Sequence, residues 1–94
     1  MQVRFFIDPE TGHPHINNHG ISELEVIDVL NNPGEDRAGR EGARVMLGRA
    51  ASGRYLKVIY VSDEAPDSVF VVIAYVLSGK PLFAYRRRQR RKNR

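Results

Sequence analysis

The chain has no cysteine and no tryptophan among its 94 residues. The first absence excludes a disulfide scaffold, a thiolate metal centre and a cysteine nucleophile. Long apolar runs are also missing: no window approaches the roughly 18 residues that a membrane-spanning helix requires. The first residues, Met-Gln-Val-Arg-Phe-Phe-Ile-Asp, lack the apolar core of a secretory signal. A cytoplasmic protein with no membrane partner is the expectation. Acid is lacking from one region only. All 11 acidic residues and seven of the 15 Lys and Arg fall in residues 1–79, which stand at −4. Residues 80–94 carry the other eight basic side chains and no acid, and stand at +8. A like-charge block of this kind is expected to stay solvated as an interaction tail. Phosphates are its commonest target, through contacts that weaken with salt; an acidic protein, a membrane surface or the acidic body itself are the alternatives.

What is present is 41% apolar and enough for one modest core. Residues 1–85 read as a single domain and 86–94 as a basic, disordered tail. Val3–Ile7 reads as a strand. Gly20-Ile-Ser-Glu-Leu-Glu-Val-Ile-Asp-Val-Leu-Asn-Asn-Pro-Gly34 carries the clearest local signature. Ser22 with Glu25 forms a capping box, Ile21 with Val26 a hydrophobic staple, and Asn32-Pro33-Gly34 the stop. Leu24, Ile27 and Leu30 are expected to form the buried stripe. Glu35–Gly42 reads as a loop or a poor strand. Ala43–Ala50 and Tyr55–Val61 alternate as strands about a turn at Ala51–Arg54. Ser68–Leu77 is apolar on both faces and rich in β-branched residues, the pattern of a strand in the middle of a covered sheet. Leu82–Tyr85 ends the body as a short strand or a helical turn. The expected fold is α+β, in two layers. One main N-terminal helix packs on a twisted, mainly antiparallel sheet of about four strands.

Several short motifs, in this order, resemble a known family: Asn18-His-Gly-Ile-Ser22, the helix ending at Asn32-Pro33, Leu47-Gly-Arg49, Tyr55-Leu-Lys-Val-Ile-Tyr60 and Val72-Ile-Ala-Tyr75. Over roughly residues 15–76 the chain resembles the BrnT-like branch of the RelE-type bacterial toxins, or a related family of small bacterial proteins. The resemblance implies a toxin-like component of a type II toxin–antitoxin system. Such a protein is a small, metal-independent endoribonuclease acting on RNA and restrained by a cognate antitoxin, with no cofactor.

Cleaving RNA without a metal requires a base for the 2′-hydroxyl proton, cations for the phosphate and an acid for the leaving oxygen. His19, beside a helix entry, is the candidate that titrates near neutrality. Arg49 and Lys57, on neighbouring strands, are the candidate phosphate cations. Tyr85, Arg86, Arg87, Arg88, Arg90 and Arg91 suit nucleic-acid binding by stacking and phosphate contact. Each also has a plainer reading: a surface imidazole, a strand-end arginine whose stem lies along the surface, a solvated charge run. His13, His15 and His19 do not follow a standard zinc spacing, and no metal is expected. The alternative function is a non-catalytic nucleic-acid-binding or protein-interaction module of the same fold.

Overall fold

The computed structural model describes residues 1–92. Its elements run β1 (Gln2–Phe5), a 3-10 helix (His15–His19), α1 (Glu23–Asn31), β2 (Glu35–Ala38), β3 (Arg44–Arg49), β4 (Tyr55–Ser62), β5 (Ser68–Val76) and α2 (Gly79–Lys92). The α+β class is as expected, but the sheet is mixed and has five strands, in the order β1-β5-β4-β3-β2. β2 to β5 form an antiparallel meander, and β1 adds in parallel to β5. No helix is long and apolar enough to cross a membrane among the described residues.

α1 forms where the signature places it. Ser22 accepts from the Glu25 N–H at 3.2 Å, and the Glu25 carboxylate accepts from the Ser22 N–H at 3.1 Å. The staple residues Ile21 and Val26 are 1% and 0% exposed. The buried stripe differs from the expected one. Val26, Val29 and Leu30 face the sheet, whereas Leu24 is 74% exposed. Once the staple seats Val26, the helical period turns Leu24 away. Gly48 on β3 lets α1 approach closely: a Cβ there would lie 3.0 Å from Val29 and 3.4 Å from the Asn32 carbonyl.

Two further expectations about the sheet are corrected. Ser68–Leu77 is not the central strand, since β4 holds that place and β5 is second from the edge. β1 covers only the first half of β5, so Val72, Tyr75 and Val76 stay exposed at the other end. A register shift opposite Ile59 and Tyr60 leaves Val72 as an extra residue, which lets Val71 and Ala74 both enter the core. The segment after the helix is a strand despite its poor β propensity. The Asp36 carboxylate on β2 accepts from the Tyr60 hydroxyl at 2.8 Å and from Arg44 at 3.2 Å. Tertiary hydrogen bonds here outweigh propensity.

The largest departure is at the C-terminus. Residues 86–92, expected as a disordered arm, continue a single helix from Gly79; residues 93 and 94 of that arm lie outside the described residues. Tyr85 explains the order. It is 5% exposed and packs with Leu47 and Leu77, flanked by Val45, Tyr55 and Leu82. Its hydroxyl lies against Gly34, where any Cβ would collide with it at 1.8 Å. The Arg88 guanidinium forks onto the Glu35 carboxylate, with Nη2–Oε1 at 3.0 Å, and Gln89 donates to the Gly34 carbonyl at 3.0 Å. α1 and the 3-10 helix thus cover one face of the sheet, and α2 covers one corner of the other.

Candidate nucleic-acid interface

The interface begins with strand register. Arg49 pairs with Tyr55 across the β3–β4 hairpin, and residues directly opposite share a face. The turn between them is tied to α1. Asp28 accepts from the Ala51 N–H at 2.9 Å, and Ser52 donates to Glu25 at 2.7 Å. Arg54 donates two bonds to the Glu25 carboxylate, both at 2.8 Å, and one to the Gly20 carbonyl at 2.6 Å. The Arg54 guanidinium, aided by the Ser52 and Ser22 donors, holds the Glu25 carboxyl down at about 2. Gly53 turns with φ +95°, a conformation that side chains rarely adopt, and its carbonyl accepts from Arg49 Nε at 3.3 Å. Arg49 is therefore aimed by a braced hairpin although it is itself exposed.

From the other side comes α2. Arg86 and Arg90 lie one turn apart on this helix and so share a face of it. The guanidinium carbons of Arg49 and Arg86 lie 5.5 and 5.9 Å from the centre of the Tyr55 ring. The Tyr85 ring meets Tyr55 edge-on at 6.0 Å. Arg49, Tyr55, Tyr85, Arg86, Gln89 and Arg90 line a cleft of about 340 Å³. None of its three arginines belongs to an ion pair among the described residues. A second cleft beside Arg49, of about 370 Å³, carries Asp28 and no other cation. The positive potential therefore gathers on the α2 side.

The other residues singled out in the sequence fall elsewhere. Arg88 is committed to Glu35, which it holds below the usual carboxylate range. Arg87 and Arg91 share a shallow groove with Ala84 and Arg88 on the outer side of α2. Lys57 is half-buried and pairs with Leu47 and Tyr75, so it shares a sheet face with Arg49 one diagonal away. His19 ends the 3-10 helix, with its ring against Tyr75 at 5.2 Å. Neither cleft beside Arg49 includes His19 or Lys57. The three residues expected to act together are strung along one end of the sheet rather than gathered in one concavity. Among the described residues, no group of three or more His, Asp and Glu could hold a metal ion.

Tyr55 and Gln89 are the site residues that the sequence reading passed over. The loop is one residue shorter than the turn over Ala51–Arg54 read from the sequence: the Ala50 N–H bonds the Arg54 carbonyl at 2.8 Å, and this sets residue 55 opposite residue 49 rather than 50. Chemically, the cleft offers three cations for phosphate oxygens and a tyrosine face for a base. No histidine or carboxylate lines it. In the comparisons with known proteins, no family model, no curated protein and no solved structure matches this chain.

Proposed function

We propose that this protein binds single-stranded nucleic acid, with RNA as the first candidate, in the cleft between the β3–β4 hairpin and α2. The observation that carries the reading is the Tyr55 ring with the Arg49 and Arg86 guanidinium groups 5.5 and 5.9 Å from its centre, Arg90 in the same lining and no acid there. Guanidinium groups bind phosphate through paired, charge-assisted hydrogen bonds. An aromatic face takes any base, so the recognition expected is of backbone and stacking rather than of sequence.

The test is a salt titration of binding to a fluorescent single-stranded oligoribonucleotide. Arg49→Ala and Arg86→Ala are each expected to weaken binding about tenfold, near the 1.5–3 kcal/mol of a charge-assisted contact. Each is also expected to lower the slope of log K against log salt by about 0.7, the value for one phosphate contact on a single strand. Variants that bind like wild type with an unchanged slope would remove the cleft from the interface.

The second reading is a RelE/BrnT-like toxin: a metal-independent endoribonuclease held by an antitoxin. It is favoured by the convergence of three guanidinium groups on one concavity, since such a cluster also stabilises a pentavalent phosphate. What counts against it is the position of the base. A general base must reach the proton it takes at about 2.6–3.2 Å, and His19 is not among the residues that line the cleft. RNA cut by wild type and left whole by His19→Ala and Arg49→Ala would decide for the ribonuclease.

A further inference from the structure

Beyond the cleft, four rings follow one another along the open end of the sheet. Tyr75 meets His19 at 5.2 Å, His19 meets His15 at 5.5 Å, and His15 meets Phe6 at 5.9 Å, each edge-on. Tyr75 and Phe6 are 40% and 42% exposed. The row exists because β1 stops at Phe5, which leaves the second half of β5 paired with β4 alone and open on its outer side. The Phe6 N–H still bonds the Val71 carbonyl, and the chain then turns away to the 3-10 helix that carries His15 and His19.

The row is continuous with the cleft. Arg49 pairs with Tyr55, and in the next row of the same face Lys57 pairs with Tyr75. Tyr55 and Tyr75 are thus diagonal neighbours, roughly 7–8 Å apart. One extended nucleotide spans that distance. Lys57, two residues on from Tyr55 and directly opposite Tyr75, joins no ion pair among the described residues. At the far end the character changes: the Asp8 carboxylate lies 3.6 Å from His15 Nδ1 and would repel a phosphate there.

We infer that Tyr75, with His19 at its edge, is a nucleobase-stacking subsite for the nucleotide adjoining the one held between Arg49 and Arg86. Lys57 contacts the phosphate that joins them, and Asp8 marks where the backbone leaves the protein. This rests on the nucleic-acid reading of the cleft. It gives that reading a direction, from α2 across the end of β4 to the 3-10 helix. It also gives His19 a binding role in place of a catalytic one.

Two probes of equal length separate the parts: a single-stranded hexaribonucleotide and the same backbone made fully abasic. Tyr75→Ala is expected to weaken the hexanucleotide about 5- to 30-fold, within the range of one lost stacked base, and to leave the abasic backbone unchanged. Tyr75→Phe keeps the ring and stays within about twofold of wild type. Arg86→Ala weakens both probes. If Tyr75→Ala lowers the melting temperature, Tyr75→Leu replaces it, keeping apolar bulk without a ring. Loss of the hexanucleotide alone supports the subsite. Wild-type affinity of the Tyr75 variants beside a weakened Arg86→Ala overturns the subsite and leaves the cleft standing. Equal weakening of both probes also overturns it, since a base contact cannot act on a chain without bases. No effect from Tyr75→Ala or Arg86→Ala on either probe overturns both readings.

Discussion

Replacing Glu25 with glutamine lowers the melting temperature by about 8–16 °C at pH 7, the equivalent of about 2 kcal/mol in a domain of this size. The carboxylate is the meeting point of the N-terminal half of the fold. It caps α1 through the Ser22 N–H, accepts two bonds from Arg54 and one from Ser52, and so ties the helix entry to the β3–β4 hairpin. Its side chain is 13% exposed, and its pKa falls from an ordinary 4.5 to about 2. At about 1.4 kcal/mol per pKa unit the charged form would be worth more than 3 kcal/mol. Arg54 is 40% exposed, so solvent screening brings the expectation down to about 2. The sign follows from the direction of the shift. A carboxyl whose folded pKa is depressed contributes fully above its unfolded value, and the contribution fades as pH falls from about 4.5 towards 2. Wild type and Glu25→Gln should therefore differ most at neutral pH and converge near pH 2 to 3. Glutamine can still cap the helix, so the difference isolates the charge. Melting curves by circular dichroism at several pH values measure it. A gap that stays constant down to pH 2 would show that the loss came from packing.

How much of this was legible in the sequence divides along a physical line. Local signals were read correctly. The Ser22–Glu25 capping box, the Ile21–Val26 staple and the turn that follows Ala50 each depend on a few adjacent residues. Tertiary partners were not legible in the same way. Nothing local in Glu35-Asp-Arg-Ala38 marks a strand, because its order comes from Arg44 on the next strand and from Tyr60 and Arg88, which are remote in sequence. The apolar pattern of Ser68–Leu77 did reveal a strand but not its rank. Two apolar faces imply cover on both sides, whereas here the Tyr75 end has no strand on its outer side and offers a surface instead. For the candidate site, Arg49 and the basic C-terminus were found from strand parity and charge, and their convergence was not. It depends on Tyr85 docking over Gly34, a contact between residues 51 positions apart. Gly34 both ends α1 and allows the close approach of Tyr85, and only the first of these roles leaves a local mark in the sequence.

That contact sets the second large effect. Tyr85→Ala releases α2, and with it the cation cleft. Removing a large aromatic side chain from a buried site costs roughly 3 kcal/mol, and in α2 the loss falls on an element with little stability of its own. A 14-residue helix is marginal alone. In α2, Arg86/Arg90, Arg87/Arg91 and Arg88/Lys92 set like charges one turn apart, each pair opposing the helix by roughly 0.2–0.5 kcal/mol. The basic last turn offsets part of this through the helix dipole. Without Tyr85 the repulsion prevails, leaving Arg88–Glu35 and Gln89–Gly34 as surface tethers. Circular dichroism should then lose the contribution of α2 while the sheet signal and the main unfolding transition persist. Gly34→Ala should act in the same direction from the opposite surface, because its methyl group occupies the place of the Tyr85 hydroxyl. For binding, the unmoored arginines keep their charge but not their position. Affinity for the single strand should fall about tenfold or more, since ordering the arm must now accompany binding. The salt slope should stay close to wild type, because the same phosphates can still be met. Arg86→Ala does the reverse, lowering the slope while leaving the helix intact. If Tyr85→Ala retained the helical signal and wild-type affinity, α2 would be ordered by something other than its dock, and the cleft would not depend on it.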